Sequence, residues 1–154
     1  MKNKINFFKI NTLISDTDFV KTINEIAKKD GVCTLYTNMY EINKLNKNFT
    51  IVPIQYAKYS KGIMFCWDIL SVDLALQFPG PSTILFYMSE LYWMENPNNH
   101  YKMWGKIFNS KKVNILVNNQ DYQDILKLSW QTNSNLVKSP EDVYNAISEY
   151  DRRT

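Results

Sequence analysis

Acidic side chains stand where two apolar runs of the sequence end. Asp68 directly follows the run 63–67, and Glu90 comes two residues after the run 83–88. A carboxylate in such a place can serve as a general acid or base, or can contact a ligand. It can also cap the helix that begins there, and capping is the commoner role of an acid at that position. Asp68 and Glu90 are therefore the candidate catalytic residues, with helix capping as the alternative for each.

More polar and aromatic side chains follow other apolar runs or lie close to them. Amides and hydroxyls both donate and accept hydrogen bonds, so together they suit a sugar or another hydroxyl-rich ligand. For the asparagines at 118 and 119, turn formation and helix capping are the alternative roles. The residues that we expect to bind a ligand are Asn38, Tyr56, Ser89, Trp93, Asn118 and Asn119.

Aromatic residues make up 14% of the chain, and five of them could form a stacking platform for a sugar or a base. These five are Tyr87, Tyr92, Trp93, Tyr101 and Trp104. Such residues more often pack in a core or at an oligomer interface, and that alternative stays open. The single histidine, His100, lies in a polar segment, which favours a surface position over a role as a catalytic base.

Several motifs of nucleotide-dependent and hydrolytic enzymes are absent from the sequence. The four glycines stand apart, so the chain has neither the glycine-rich dinucleotide fingerprint nor a phosphate-binding loop. It has no GxSxG segment, and Cys33 and Cys66 lie in apolar runs without the spacing of a zinc site. We therefore expect no cofactor and no metal, and we expect both thiols to be reduced and buried.

Short apolar runs alternate with amphipathic segments along the chain. The predicted strands are 32–37, 49–54, 63–67, 83–88, 113–117 and 135–138, and residues 5–14 can supply one more. The predicted helices are one between the caps at 15–18 and Gly31, then 39–45, 69–78, 101–108, 122–132 and a last one from Pro140. Continuous apolar strands separated by helices indicate a parallel sheet covered on both faces. The predicted fold class is α/β, a Rossmann-like three-layer sandwich with a mostly parallel sheet.

The last helix has a strong start signal in the sequence. Ser139 can cap it, and Pro140 suits its first position. Glu141 and Asp142 then complement the positive end of the helix dipole.

Length and composition favour one globular domain over residues 1–154, because 45% of the residues are hydrophobic and 21% are charged. The net charge of +3 is too small to favour nucleic acid as a partner. No apolar run approaches the roughly 20 residues of a membrane-spanning helix, and the N-terminus has no signal-type apolar core. We expect a cytoplasmic location and no membrane association.

The order of features from Gly62 to Trp130 resembles the N-terminal Rossmann-like half of GT-B glycosyltransferases, in particular the divergent ones of phages. The segments that carry the resemblance are 62–68 (GIMFCWD), 78–93 with its FPGP break, and 113–119 (VNILVNN). In that family the corresponding strands end at the interdomain cleft, and this half mainly holds the acceptor. The resemblance implies a domain that binds a sugar or nucleotide at the carboxyl edge of its sheet. It also implies an incomplete enzyme, because the second domain that binds the nucleotide sugar is missing.

Two functions stay open at this point. The first is the glycosyltransferase-like half-domain, with a sugar or nucleotide-sugar ligand and the donor site supplied by another chain. The second is a non-catalytic interaction protein of a phage or bacterium, in the host cytoplasm if it is encoded by a phage. Its contact surface would be the aromatic segment 92–104, and its partner a second protein chain or another copy of itself.

Overall fold

A computed structural model of the protein describes residues 4–10, 17–30, 32–38, 48–91, 94 and 101–152. The strands in these ranges are β1 (Ile5–Phe8), β2 (Cys33–Thr37), β3 (Thr50–Pro53), β4 (Gly62–Cys66), β5 (Pro81–Met88), β6 (Val113–Val117) and β7 (Ser134–Leu136). The helices are α1 (Thr17–Asp30), α2 (Ile69–Ala75), α3 (Tyr101–Phe108), α4 (Gln120–Trp130) and α5 (Pro140–Asp151), and a 3-10 helix covers Ile54–Tyr59. The predicted helix at 39–45, and the residues Tyr92, Trp93 and His100, lie outside the described residues.

The strands form one seven-stranded sheet in the order β3-β2-β1-β4-β5-β6-β7, and every pair of neighbours is parallel. The first six positions follow the doubly wound Rossmann order, in which the chain reverses direction across the sheet between β1 and β4. The predicted Rossmann-like α/β fold with a parallel sheet is confirmed.

Helices cover both faces of the sheet and complete the three layers. Helices α1 and α5 pack on one face, where alternate strand residues such as Phe7, Phe65 and Leu85 are fully buried. Helices α2, α3 and α4 pack on the other face, against residues such as Phe8 and Phe86. Successive strand residues therefore belong to opposite layers, as the two-residue period of a strand requires.

Helix ends deviate from the predicted bounds where local backbone chemistry intervenes. Helix α2 ends at Ala75 instead of 78, and the backbone N–H groups of Gln77 and Phe78 donate to the carbonyls three residues earlier, in the tighter turns common at helix ends. Helix α4 begins at Gln120 because the side chain of Asn119 caps it. It ends before Gln131, which adopts a left-handed conformation with φ 52°.

Helix α5 begins as its sequence predicts. The Ser139 hydroxyl accepts a hydrogen bond from the backbone N–H of Asp142, and the Asp142 carboxylate accepts one from the backbone N–H of Ser139. This reciprocal capping box satisfies two donors that the helix itself leaves free. It fixes the start of α5 close to the carboxyl end of β7, where the pocket described below lies.

Candidate functional site

A pocket of about 470 Å³ lies at the carboxyl edge of the sheet, on the side covered by α1 and α5. The first turns of α1 line one wall, and the segment that leads from β7 into α5 lines another. Its remaining lining comes from residues at the carboxyl ends of β4, β5 and β6. Ligands of open parallel sheets bind at this edge, because strand ends and helix N-termini converge there.

Aromatic rings form part of the pocket lining. The rings of Trp67 and Tyr87 have centroids 4.3 Å apart, and the ring of Phe19 lies 5.0 Å from that of Trp67. Trp67 and Tyr87 are each half-buried and pack against the core beneath α1. The Lys9 ammonium lies 5.8 Å from the centroid of the Phe19 ring, at the point where β1 ends. Aromatic rings that line a pocket suit contact with the apolar face of a sugar or a base.

Two asparagines lie on the Tyr87 side of the sheet edge. Asn118, which follows β6, lines the pocket together with Tyr87. Asn119 Nδ2 donates to Asn118 Oδ1 over 3.1 Å, and Asn119 Oδ1 accepts from the backbone N–H of Tyr122 over 2.9 Å as the cap of α4. Burial raises the pKa of the Tyr87 phenol above its ordinary value, and the nearby Asp18 carboxylate raises it further, against the opposing effect of Asn118. Tyr87 is therefore protonated at neutral pH.

Charged side chains of both signs line the pocket. Asp18 lies in the first turn of α1, with Lys21 one turn further along, and Lys138 precedes α5. The Asp142 carboxylate accepts hydrogen bonds from the backbone N–H groups of Lys138 and Ser139, at 2.8 Å and 3.0 Å. These hydrogen bonds, first of all the one from Lys138, lower the pKa of Asp142. Each of the two helix N-termini beside the pocket therefore already carries its own carboxylate.

Asp68, one of the two predicted catalytic residues, caps α2 on the opposite side of the sheet. Its Oδ1 accepts from the backbone N–H of Ser71 over 2.9 Å, and its Oδ2 accepts from the Ser71 hydroxyl over 2.7 Å. The Ser71 hydroxyl oxygen in turn accepts from the backbone N–H of Ile10 over 3.0 Å. Asp68 thus links the start of α2 to the end of β1, which is the capping alternative that its sequence position allowed, and it does not line the pocket.

The other predicted site residues fall into three groups. Ser89 and Asn118 line the pocket together. Glu90 follows β5, Asn38 follows β2, and Tyr56 lies in the 3-10 helix. All three are exposed, and none of them lines the pocket. Asn119 lies behind Asn118 as the α4 cap, and Trp93 is outside the described residues.

The proposed five-membered aromatic platform is divided between layers. Tyr87 packs with the residues between the sheet and α1 and α5. Trp104 is buried on the other face of the sheet, at 3% exposure, with Phe108 stacked on it at 5.7 Å. Trp104 is therefore a core residue, and it cannot share a platform with Tyr87.

The alternation of strand residues is the signal that identifies the pocket side. Residues of β4 and β5 that bury their side chains against α1 are Phe65 and Leu85, so the residues two positions later, Trp67 and Tyr87, point to the same side. Continuing the period brings Ser89 to that side as well. The same period assigns Asp68 to the side of α2. Asp18 and Lys138 lack such a signal, because their places depend on how α1 and α5 pack.

Among the described residues, both thiols lie outside the pocket, and Asp18 is the one potential metal ligand that lines it. No group of three potential metal ligands occurs among those residues. Both cysteines are buried, and burial raises the pKa of the Cys66 thiol well above its ordinary value. No helix within the described ranges is long and apolar enough to cross a membrane.

Comparisons with known proteins give no relative for this chain. No protein-family model, no curated protein and no solved structure matches it. The fold and the pocket are accordingly the observations from which a function has to be inferred.

Proposed function

We propose that this chain is a sugar-binding Rossmann-like domain whose ligand occupies the pocket between α1, α5 and the carboxyl ends of β4 to β6. The observation that carries the proposal is the Trp67–Tyr87 ring pair, 4.3 Å apart, in a pocket of about 470 Å³. Ligand pockets of small molecules start at roughly 300 Å³ and combine apolar surface with a few fixed polar groups. This pocket has both.

Polar groups around the rings match the chemistry of a hydroxyl-rich ligand. Tyr87 and Asn118 offer a phenol and an amide, and Ser89 adds a hydroxyl from the end of β5. Asp18 contributes an acceptor from α1. Each sugar hydroxyl both donates and accepts, so a mixed set of donors and acceptors around an aromatic surface fits it well.

The resemblance to the acceptor half of GT-B glycosyltransferases supports a more specific proposal about the class of protein. In that interpretation the pocket holds the acceptor sugar, and the site for the nucleotide-sugar donor comes from another chain. The chain alone would then bind its ligand without turning it over. Asp68 supports stability in this account, and Asp18 is the carboxylate that lines the pocket.

A thermal-shift screen tests the proposal. The purified chain is heated with free sugars, sugar phosphates, nucleotides and nucleotide sugars, each over a concentration series. A ligand at a hundred times its Kd adds about 2.7 kcal/mol, which is a shift of several degrees for a chain of this length. We expect at least one sugar-containing compound to give a saturable shift.

Two variants locate the binding. Trp67→Leu removes the ring that a sugar would stack on and should abolish the shift. Tyr59→Leu removes an exposed ring of the 3-10 helix, 69% exposed and outside the pocket, and should leave the shift unchanged. Equal loss of the shift in both variants, or no shift with any compound, would contradict the proposal.

Self-association is the second candidate function, and it rests on one exposed aromatic residue. Tyr101 at the start of α3 is 68% exposed, and its ring lies 5.0 Å from that of Trp130. Exposed aromatic anchors are typical of interfaces. Light scattering of the wild type and of Tyr101→Ser distinguishes the cases: a dimer that the substitution dissociates favours association, and a wild-type monomer rules it out.

A further inference from the structure

We propose that the sugar bound in this pocket carries an anionic group, a phosphate or a carboxylate, and that the ammonium groups of Lys21 and Lys138 bind it. The inference rests on the proposed function and adds the ligand class, an acidic sugar in place of a neutral one. Lys21 lines the pocket from α1, and Lys138 lines it from the segment between β7 and α5.

Helix α1 carries three lysines, and Lys21 is the one that lines the pocket. The ammonium group of Lys28 pairs with Glu25, and that of Lys29 pairs with Glu141, each with 2.7 Å between nitrogen and oxygen. Lys21 is exposed, and within the described ranges the structure gives its ammonium group no ion pair and no hydrogen bond. Its positive charge is therefore the one on α1 that remains for a ligand.

The carboxylates at the start of α5 are occupied by other partners. Glu141 accepts a hydrogen bond from the Lys29 ammonium, and Asp142 accepts from the backbone N–H groups of Lys138 and Ser139 at 2.8 Å and 3.0 Å. The capping contact uses the backbone of Lys138 and leaves its side chain exposed. In the described part of the chain the Lys138 ammonium forms no ion pair, and its attraction to Asp142 is the smallest of the effects that lower the pKa of that carboxyl.

The pocket lining has an excess of positive charge. Its charged side chains are Asp18, Lys21 and Lys138, so two cations accompany one carboxylate. An anionic group on the ligand complements this excess, and a neutral sugar does not. The helix N-termini leave little for an anion, because Asp142 takes the backbone donors before α5 and the first turn of α1 holds Asp18. The lysine side chains are the groups that remain, and a lysine ammonium is a usual partner of phosphate.

Two parts of one ligand match two parts of the lining. Trp67 and Tyr87, with ring centroids 4.3 Å apart, offer aromatic surface to the sugar ring at the ends of β4 and β5. The lysines come from the helical walls instead. A sugar that contacts the aromatic rings at the strand ends therefore directs its anionic group toward α1 and the start of α5. A free inorganic anion uses the second part alone and should bind less tightly than a sugar phosphate.

Matched neutral and charged sugars test the inference. Glucose, galactose and N-acetylglucosamine are titrated by calorimetry at constant ionic strength, each beside its own 6-phosphate, and glucuronate and galacturonate supply the carboxylate form. At least one charged sugar should bind about tenfold or more tightly than its neutral parent, the low end of the range for a hydrogen bond to a charged group. The compounds that show the preference distinguish a phosphate from a carboxylate. Inorganic phosphate, titrated alone, should bind more weakly than the preferred sugar phosphate.

Three lysine variants assign the preference to residues. Lys21→Met and Lys138→Met keep most of the side-chain length and remove the charge, and each should reduce the preference for the charged sugar by about tenfold. Affinity for the neutral parent should stay the same. Lys102→Met is the matched control, because Lys102 is exposed on α3 outside the pocket and its loss changes the net charge equally. It should leave the preference unchanged. Melting each variant without ligand shows that it is folded.

The outcomes separate this inference from the proposed function. Equal affinity for charged and neutral sugars, or a preference that both pocket lysine variants retain, overturns the inference and leaves the pocket as a sugar site. Inorganic phosphate that binds as tightly as the sugar phosphate, with no effect of Trp67→Leu, overturns the proposed function, because the sugar then contributes nothing. Absence of binding by every probe overturns both together.

Discussion

The indole of Trp67 lies against the phenol of Tyr87, with ring centroids 4.3 Å apart and ring planes inclined by 39°. Trp67 directly follows β4, and Tyr87 is the second-last residue of β5. Parallel pairing of Cys66 with Phe86 brings the carboxyl ends of these neighbouring strands together. The pair therefore belongs both to the core beneath α1 and to the pocket above it. Stability and ligand binding should share this contact.

The Trp67–Tyr87 contact should appear as a coupling free energy in a double-mutant cycle. The cycle consists of Trp67→Leu, Tyr87→Leu and the double variant. The double variant should lose less unfolding free energy than the sum of the two single losses. The difference should be about 0.5–1.5 kcal/mol, the value of an aromatic pair beyond its buried area. Urea unfolding measures the unfolding free energy of each variant. The matched cycle of Trp67 with Trp104, which lie in different layers, should give no coupling. Equal coupling in both cycles would mean that the effect is not specific to this contact.

Asp68→Ala should destabilise the fold by about 2 kcal/mol, because it removes the α2 cap and leaves the buried hydroxyl and N–H of Ser71 without their acceptor. Urea unfolding provides the free energy. Asp73→Ala, which breaks the exposed pair of Asp73 with Lys106, should cost at most about 1 kcal/mol. Sugar affinity of the folded Asp68→Ala protein should equal that of the wild type. A large loss of affinity with unchanged stability would restore Asp68 as a site residue.

The α/β class, the parallel sheet and the three layers follow from the sequence because apolar strands in alternation with amphipathic helices have few stable arrangements. The cap of α5 was equally predictable, since Ser139, Pro140 and Asp142 act within four residues of each other. The lining of the candidate pocket was only partly predictable: Ser89 and Asn118 belong to it, whereas Asp68 and Glu90 do not. Adjacent residues at a strand end point to opposite layers, so following a strand is not sufficient to identify a pocket residue.

Gly80→Ala should be strongly destabilising, because a Cβ at this position would lie 1.9 Å from the backbone oxygen of Ser60. The backbone before β5 has to move away from the segment before β4, and we expect a loss of about 3 kcal/mol or more. Gly105→Ala is the matched control: a Cβ there meets nothing within 4 Å, and the residue lies within α3. It should stabilise by about 0.5–1 kcal/mol. Similar effects in both variants, by thermal unfolding, would contradict the close approach at Gly80.

Asp142 should make stability depend on pH in the acid range. Hydrogen bonds from the backbone of Lys138 and from Ser139 hold the pKa of its carboxyl below the ordinary value of 3.8. A lowered pKa in the folded state means that the stabilisation is complete above the unfolded-state value and is lost as pH falls through the folded-state value. The difference in unfolding free energy between wild type and Asp142→Asn should therefore shrink as the pH is lowered below about 4. A difference independent of pH from 2 to 7 would exclude this linkage.

The most direct measurement of the central claim is a ¹H–¹⁵N spectrum of the protein titrated with the sugar-containing compound that gives the largest thermal shift. The indole N–H signal of Trp67, assigned by its disappearance in Trp67→Phe, should move progressively and saturate, while that of the buried Trp104 stays in place. Backbone signals of Asp18, Tyr87 and Asn118 should move with it. Saturable shifts confined to residues outside the pocket, or none at Trp67, would contradict a sugar site at this edge of the sheet.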